Sequence, residues 1–232
     1  MKKTILIYSG GLDSTCLLSQ LLKEKQEVIC LNFYYGSKHN HLERACAEKI
    51  CQHYNIPFKK VNLDFINDMF KSDLLQSGGN IPEGHYEADN MSSTVVPFRN
   101  GIMLSIATGL AESLQCTSVA IGAHGGDHHI YPDCRPDFTS AMERAMMCGT
   151  SSGVEIQAPF LNIDKGDIAK IGFDNGAPLH LTWTCYNPTN GMHCGKCGAC
   201  VERIEAFKKH DVDDPTSYVD KDFALKELNL KQ

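Results

Sequence analysis

The chain has 232 residues, 42% of them apolar and 22% charged, with 28 acidic against 22 basic side chains and a formal net charge of −6. That length suits one large domain or a domain with a small appendage, and no apolar run reaches the roughly 20 residues that cross a bilayer. An acidic chain also lacks the global basic field that draws nucleic acid, so no membrane and no nucleic acid is expected, and a small-molecule partner is favoured.

After Met1-Lys2-Lys3 the apolar residues stop at Tyr8 and no small-residue cleavage site follows, so the stretch reads as a first strand and not as a secretory signal. Eleven cysteines in such a chain point to a reducing, cytoplasmic setting in which thiols stay free or bind metal. Seven are scattered and read as small buried apolar residues.

In chain order, strand-like runs fall at 4–8, 27–32, 58–63, 118–122 and 154–159, separated by segments of helical spacing. The alternation predicts an α/β fold, a Rossmann-like parallel sheet flanked by helices. The spacing predicts an amphipathic helix over 41–54 with Leu42, Ala45, Cys46, Ile50 and Tyr54 on its buried face, and an apolar central helix over 100–114. Residues 76–93 are polar and turn-rich without periodicity, which reads as a mobile loop near the site. One boundary is expected near Thr182, dividing a main α/β domain (1–182) from a small C-terminal helical subdomain (183–232).

The first chemical signal joins strand one to the next helix: Ser9-Gly10-Gly11-Leu12-Asp13-Ser14. Glycines allow the backbone to approach a ligand closely, and N–H groups at a helix N-terminus attract phosphate. The stretch lacks the lysine and spacing of a Walker loop. Asp13 either caps the helix or faces a Mg²⁺ bridging phosphates.

Three further stretches lie at strand ends or helix starts, where open α/β sheets bind ligands. In Val96-Pro97-Phe98-Arg99-Asn100, Arg99 offers a planar donor fork and Asn100 both donor and acceptor. The run from Gly122 to Phe138 holds Asp127, Tyr131, Asp133 and Arg135, suited to a polar heterocycle, while its His124, His128 and His129 match no familiar metal spacing. Asp164 reads as the N-cap of a helix whose Lys165 can supply the cation missing from the first loop.

Cys185, Cys194, Cys197 and Cys200 form C-x8-C-x2-C-x2-C, with Gly195 and Gly198 permitting tight knuckles. Four thiolates match a closed structural Zn²⁺ site. An iron–sulfur cluster is the competitor, although the x3-Cys-Pro continuation of the bacterial ferredoxin run is missing. A helix from about Ala199, with Val201, Ile204 and Phe207 on one side, would be pinned to the body by the metal.

The S-G-G-x-D-S string resembles the pyrophosphate loop of the adenine-nucleotide α-hydrolase-like superfamily, which cleaves ATP between its α and β phosphates. Together with V-P-F-R-N, Y-P-D-C-R-P-D-F and the four-cysteine cluster, it resembles the 7-cyano-7-deazaguanine synthase family of queuosine biosynthesis over residues 6–207. The resemblance implies a homodimeric ligase that turns 7-carboxy-7-deazaguanine and ammonia into a nitrile through adenylated intermediates. It implies ATP, Mg²⁺ and one Zn²⁺ per chain: Ser9, Gly10, Gly11, Asp13 and Ser14 on the nucleotide, Arg99, Asn100 and Lys165 on developing charge, and Asp127, Tyr131, Asp133 and Arg135 on the base. Two other readings share parts of the pattern, a tRNA-modifying adenylating or thiolating enzyme and a non-enzymatic zinc-knuckle nucleotide sensor.

Overall fold

The structure is a computed structural model that describes residues 2–229; the side chains of Asp127 and His129 lie outside that description. Five strands form one sheet: β1 (Lys3–Ile7), β2 (Glu27–Tyr34), β3 (Phe58–Asn62), β4 (Ser118–Ala120) and β5 (Glu155–Gln157). The order is β3-β2-β1-β4-β5 and every pairing is parallel. Ile5 sits opposite Ile29 on one side and Val119 on the other. Alternation through β1 sends Ile5 into one apolar layer and Leu6 into the other, as a sheet covered on both faces requires.

Two of the helices fill those layers. The helix α1 (Leu12–Lys23) buries Cys16, Leu17, Leu18 and Leu21 beside Leu6. The helix α4 (Arg99–Ser113) places Met103, Leu104, Ala107 and Ala111 against the layer of Ile5. The all-round burial expected of α4 is not what forms, because Ser105, Gly109 and Ser113 open one side to solvent and leave Ile102, Ile106 and Leu110 half-buried.

Between these helices come α2 (Asn40–His53) and the short α3 (Phe65–Met69). The buried residues of α2 are Asn40, Ala47, Ile50 and Cys51, whereas Ala45 is exposed. Of the expected face, Ile50 is buried and Leu42, Cys46 and Tyr54 pack half-buried against the core, while Ala47 takes the place of Ala45 over the backbone of Gly10. A Cβ at Gly10 would lie 2.6 Å from Ala47 N and 2.6 Å from Glu43 O, so the helix seats its Glu43–Ala47 edge directly on that glycine.

Residues 76–93 carry no strand or α-helix; a 3-10 turn runs Asp89–Thr94, and Gly84 N–H donates to the Lys196 carbonyl at 3.0 Å. Beyond β4 lie α5 (Pro136–Gly149), α6 (Lys165–Asp174), α7 (Gly198–Lys209) and α8 (Lys221–Asn229). Trp183, Cys185, Cys194, Cys197 and Cys200 share the apolar layer of Ile5, while Ala206 and Phe207 enter the layer of Leu6. The segment beyond Thr182 therefore packs into both layers of the main body.

The chain leaves β1, builds outward through β2 and β3, then returns to lay β4 on the other edge of β1. This reversal between β1 and β4 is the switch point at which crevices open in such sheets.

Candidate active site and metal centre

A cleft of about 1140 Å³, open mouth included, occupies that switch point. Ser9, Gly11, Asp13 and Ser14 form its floor, Gly122 and Ala123 its β4 side, and Lys165 one wall. Gly10 has φ +88, a left-handed conformation suited to glycine, and Gly11 is the N-cap of α1. Ser9 Oγ accepts from Gly11 N–H at 3.0 Å and lies 3.1 Å from Ser14 Oγ, which donates to the Gly11 carbonyl at 3.2 Å. The two hydroxyls close the turn, so the first N–H groups of α1, which have no helical acceptor, face the cleft end-on.

Lys165 follows the N-cap of α6, where Asp164 accepts from Gly166 and Asp167 N–H at 2.8 and 3.1 Å. Its Nζ reaches Asp13 Oδ2 at 3.3 Å and Glu202 Oε2 at 2.6 Å. His124, fully buried, sets Nε2 3.9 Å from Asp13 Oδ2 and 4.0 Å from Glu202 Oε1. The lysine thus stands over the glycine turn, where the sequence has no other cation within the loop.

The opposite end belongs to α2 and α4. Arg99 opens α4, donates to Tyr35 OH at 3.2 Å and covers that ring at 5.6 Å. Asn100 N–H donates to Asp133 Oδ2 at 2.8 Å, and its amide donates to the Asp133 carbonyl at 3.3 Å. Glu43 and His39 also line the cleft, with His39 Nε2 3.5 Å from Glu43 Oε2 and the Asn40 amide donating to Glu43 at 3.4 Å. Burial raises the Glu43 carboxyl to about 8 against the opposing pull of Arg99 and Asn40. Burial, with the Arg99 and His41 charges, lowers His39 to about 3, so its ring is neutral.

The structure thus gathers Ser9, Gly11, Asp13, Ser14, Arg99, Asn100, Tyr131 and Lys165 around one cavity, while Gly10 supports its floor from behind. Asp133 and Arg135 stand outside the lining. The carboxylate of Asp133 is used on the first turn of α4, and Arg135, exposed, donates Nε to the His128 carbonyl at 2.9 Å. Both residues, expected on the base, lie beside the lining, Asp133 at the start of α4 and Arg135 against the His128 carbonyl. The side chain of Asp127 lies outside the described residues.

Sequence reasoning missed Glu43, His39, Tyr35, Glu202 and Trp183. Glu43 and His39 are four apart at the start of the helix after β2, a spacing that brings them to one face; counting apolar residues alone passed over them. Glu202 had a signal too, two positions beyond the last cysteine.

Cys185, Cys194, Cys197 and Cys200 are all buried, and their sulfurs lie within 4.8 Å of one another. Cys194 and Cys200 sulfurs are 3.9 Å apart, and a tetrahedral ion with bonds of about 2.3 Å separates its ligands by about 3.8 Å. Cys194 Sγ accepts from Lys196 and Cys197 N–H at 3.3 Å each, and Cys185 Sγ accepts from Cys194 N–H at 3.2 Å. Hydrogen bonds from Cys185, Cys197 and Cys200 lower the Cys194 thiol, while the same crowding raises Cys200. Such a set could hold a thiophilic metal ion in place of the shared protons.

The fold is similar to that of an NMN synthetase from Francisella tularensis, at 14% identity and TM-score 0.50 over 99% of this chain and 82% of that one. Closer in sequence are proteins named 7-cyano-7-deazaguanine synthase from Porphyromonas gingivalis (48% identical, 94% of this chain and 97% of that one) and Desulfotalea psychrophila (47%, 94% and 100%). One named 7-cyano-7-deazaguanine synthase 2, from Colwellia psychrerythraea, is 47% identical over 94% of this chain and 99% of its own length. The family model described as queuosine biosynthesis protein QueC matches residues 3–211, and the chain belongs to that family.

Proposed function

We propose that this chain converts 7-carboxy-7-deazaguanine and ammonia into 7-cyano-7-deazaguanine at the expense of ATP. The observation that carries the reading is the meeting, in one cleft of a QueC-family chain, of the glycine turn of β1, the Lys165 ammonium above it and the Arg99 guanidinium at the other end.

A carboxylate resists attack by ammonia. Its oxygen therefore attacks the α phosphorus of ATP, pyrophosphate leaves and an acyl adenylate forms. Ammonia displaces AMP to give the amide with loss of a proton. The amide oxygen then attacks the α phosphorus of a second ATP, a second pyrophosphate leaves with loss of one N–H proton, and elimination of AMP with the other N–H proton leaves the nitrile. Each carboxylate oxygen departs on one AMP.

Ser9, Gly10, Gly11 and Ser14 shape the seat for the departing pyrophosphate, with Lys165 balancing its charge. Asp13 would hold Mg²⁺, which supplies charge neutralisation to the phosphates when bound. Arg99 and Asn100 orient the group being activated and Tyr131 walls the base. The four cysteines would hold structural Zn²⁺, which offers no open position for the reaction. No helix among the described residues is long and apolar enough to cross a membrane. A cytoplasmic enzyme acting as a homodimer is what the family resemblance supports.

Purified chain incubated with ATP, Mg²⁺, ammonium and 7-carboxy-7-deazaguanine should yield the nitrile, AMP and pyrophosphate on mass-resolved chromatography. Turnover that appears only on addition of tRNA or a sulfur donor would overturn the reading.

A further inference from the structure

We infer that Glu202, on the helix that follows the cysteine cluster, is a positioning residue for the pyrophosphate site and acts by holding Lys165 over the glycine turn. The inference rests on the reading of the cleft as an ATP site. It assigns to the metal-binding segment a part in substrate binding that a purely structural centre would not have.

A carboxylate facing a phosphate site is repulsive by itself and costly to bury. Glu202 is nevertheless 7% exposed and lines the cleft. Its Oε2 lies 2.6 Å from Lys165 Nζ, and the same ammonium lies 3.3 Å from Asp13 Oδ2. A lysine has a flexible four-carbon stem whose freedom is lost when it is fixed on a ligand. A partner that fixes it beforehand removes that loss from the binding step.

The anchor of Glu202 is equally specific. It stands two residues beyond Cys200, and α7 starts directly after its N-cap Cys197, so the four-sulfur site sets where its side chain begins. One position on, the fully buried Arg203 pairs with Asp214 at 3.1 Å and donates to Thr182 and Thr184 Oγ1 at 2.8 and 3.0 Å. Between those threonines, Trp183 N–H donates to the Gly10 carbonyl at 3.0 Å. Adjacent residues of α7 therefore hold the glycine turn from two directions, Glu202 through Lys165 and Arg203 through residues 182–184.

The test is a double-mutant cycle on the metal-loaded full chain, reading ATP affinity by calorimetry alongside metal content. Lys165→Met and Glu202→Gln should each weaken ATP by about tenfold, and the double variant should bind no worse than Lys165→Met. The metal should stay at the wild-type level, and the KM for 7-carboxy-7-deazaguanine should stay within about twofold in Glu202→Gln. Effects that multiply in the double variant, or wild-type affinity in Glu202→Gln, would overturn the inference. Should Glu202→Gln shed its metal, Glu202→Asp takes its place; weakening that persists undiminished in the Lys165→Met background would be equally fatal. Wild-type chain that binds no ATP would instead sink the functional reading.

Discussion

Replacing Glu43 by Gln should make the protein more stable at neutral and alkaline pH, although Glu43 lies in the cleft. Its carboxyl is raised from the ordinary 4.5 to about 8 by burial, with Arg99 and the Asn40 amide pulling the other way and His39, neutral, 3.5 Å from it. A carboxyl raised in the folded state favours folding fully below its unfolded value, and that contribution is lost as pH rises through the folded one. The window therefore runs from about pH 4.5 to about 8, over which the wild type should lose roughly 5 kcal/mol relative to Glu43→Gln, and near 3 kcal/mol by pH 7. The assay is urea unfolding of both proteins at half-unit steps from pH 5 to 9, compared at constant m. A difference that stays flat would show that Glu43 is ordinary. One that grows in favour of the wild type would show an ionised Glu43 held by Arg99, reversing the account of the site.

The remaining predictions probe other parts of the cleft. Gly10→Ala should lower stability by more than about 2 kcal/mol and abolish ATP binding, since φ is +88 and the new methyl meets the α2 backbone; a wild-type melting curve would refute it. Asp133→Ala should raise the KM for ATP and for the base together and cost about 1 kcal/mol, because it frees the Asn100 N–H at the start of α4; a rise confined to the base would restore a direct contact. Cys197→Ser should reduce bound metal to a substoichiometric level and speed amide exchange across α7 and α8, while the sheet stays protected. Carboxylate labelled with ¹⁸O should pass label to AMP at both activations, and label in water alone would contradict adenylation.

The sheet was legible because β1, β2 and β4 are short apolar runs between turns; the boundaries of β1 and β3 moved by one residue and those of β2, β4 and β5 by up to two. The glycine turn and the cysteines were legible because their chemistry needs particular residues at fixed spacing. What local pattern left out shares one cause. Asp133 was read from its polar side chain beyond a strand end, and its bond from Asn100 N–H, thirty-three positions away, has no local signal. Ala45 was put on the buried stripe of α2 because apolar periodicity cannot report that Gly10 draws the Glu43–Ala47 edge inward. Glu202 drew no reading, because its ammonium partner lies on another helix. In each case a contact between distant segments sets what a side chain faces, and local pattern contains no term for it. The same dependence gives the site its organisation: Lys165 on α6 and Glu202 on α7 lie some 150 residues and more beyond the glycine turn that opens α1, so the pyrophosphate end of the cleft is complete only when α1, α6 and α7 have packed together.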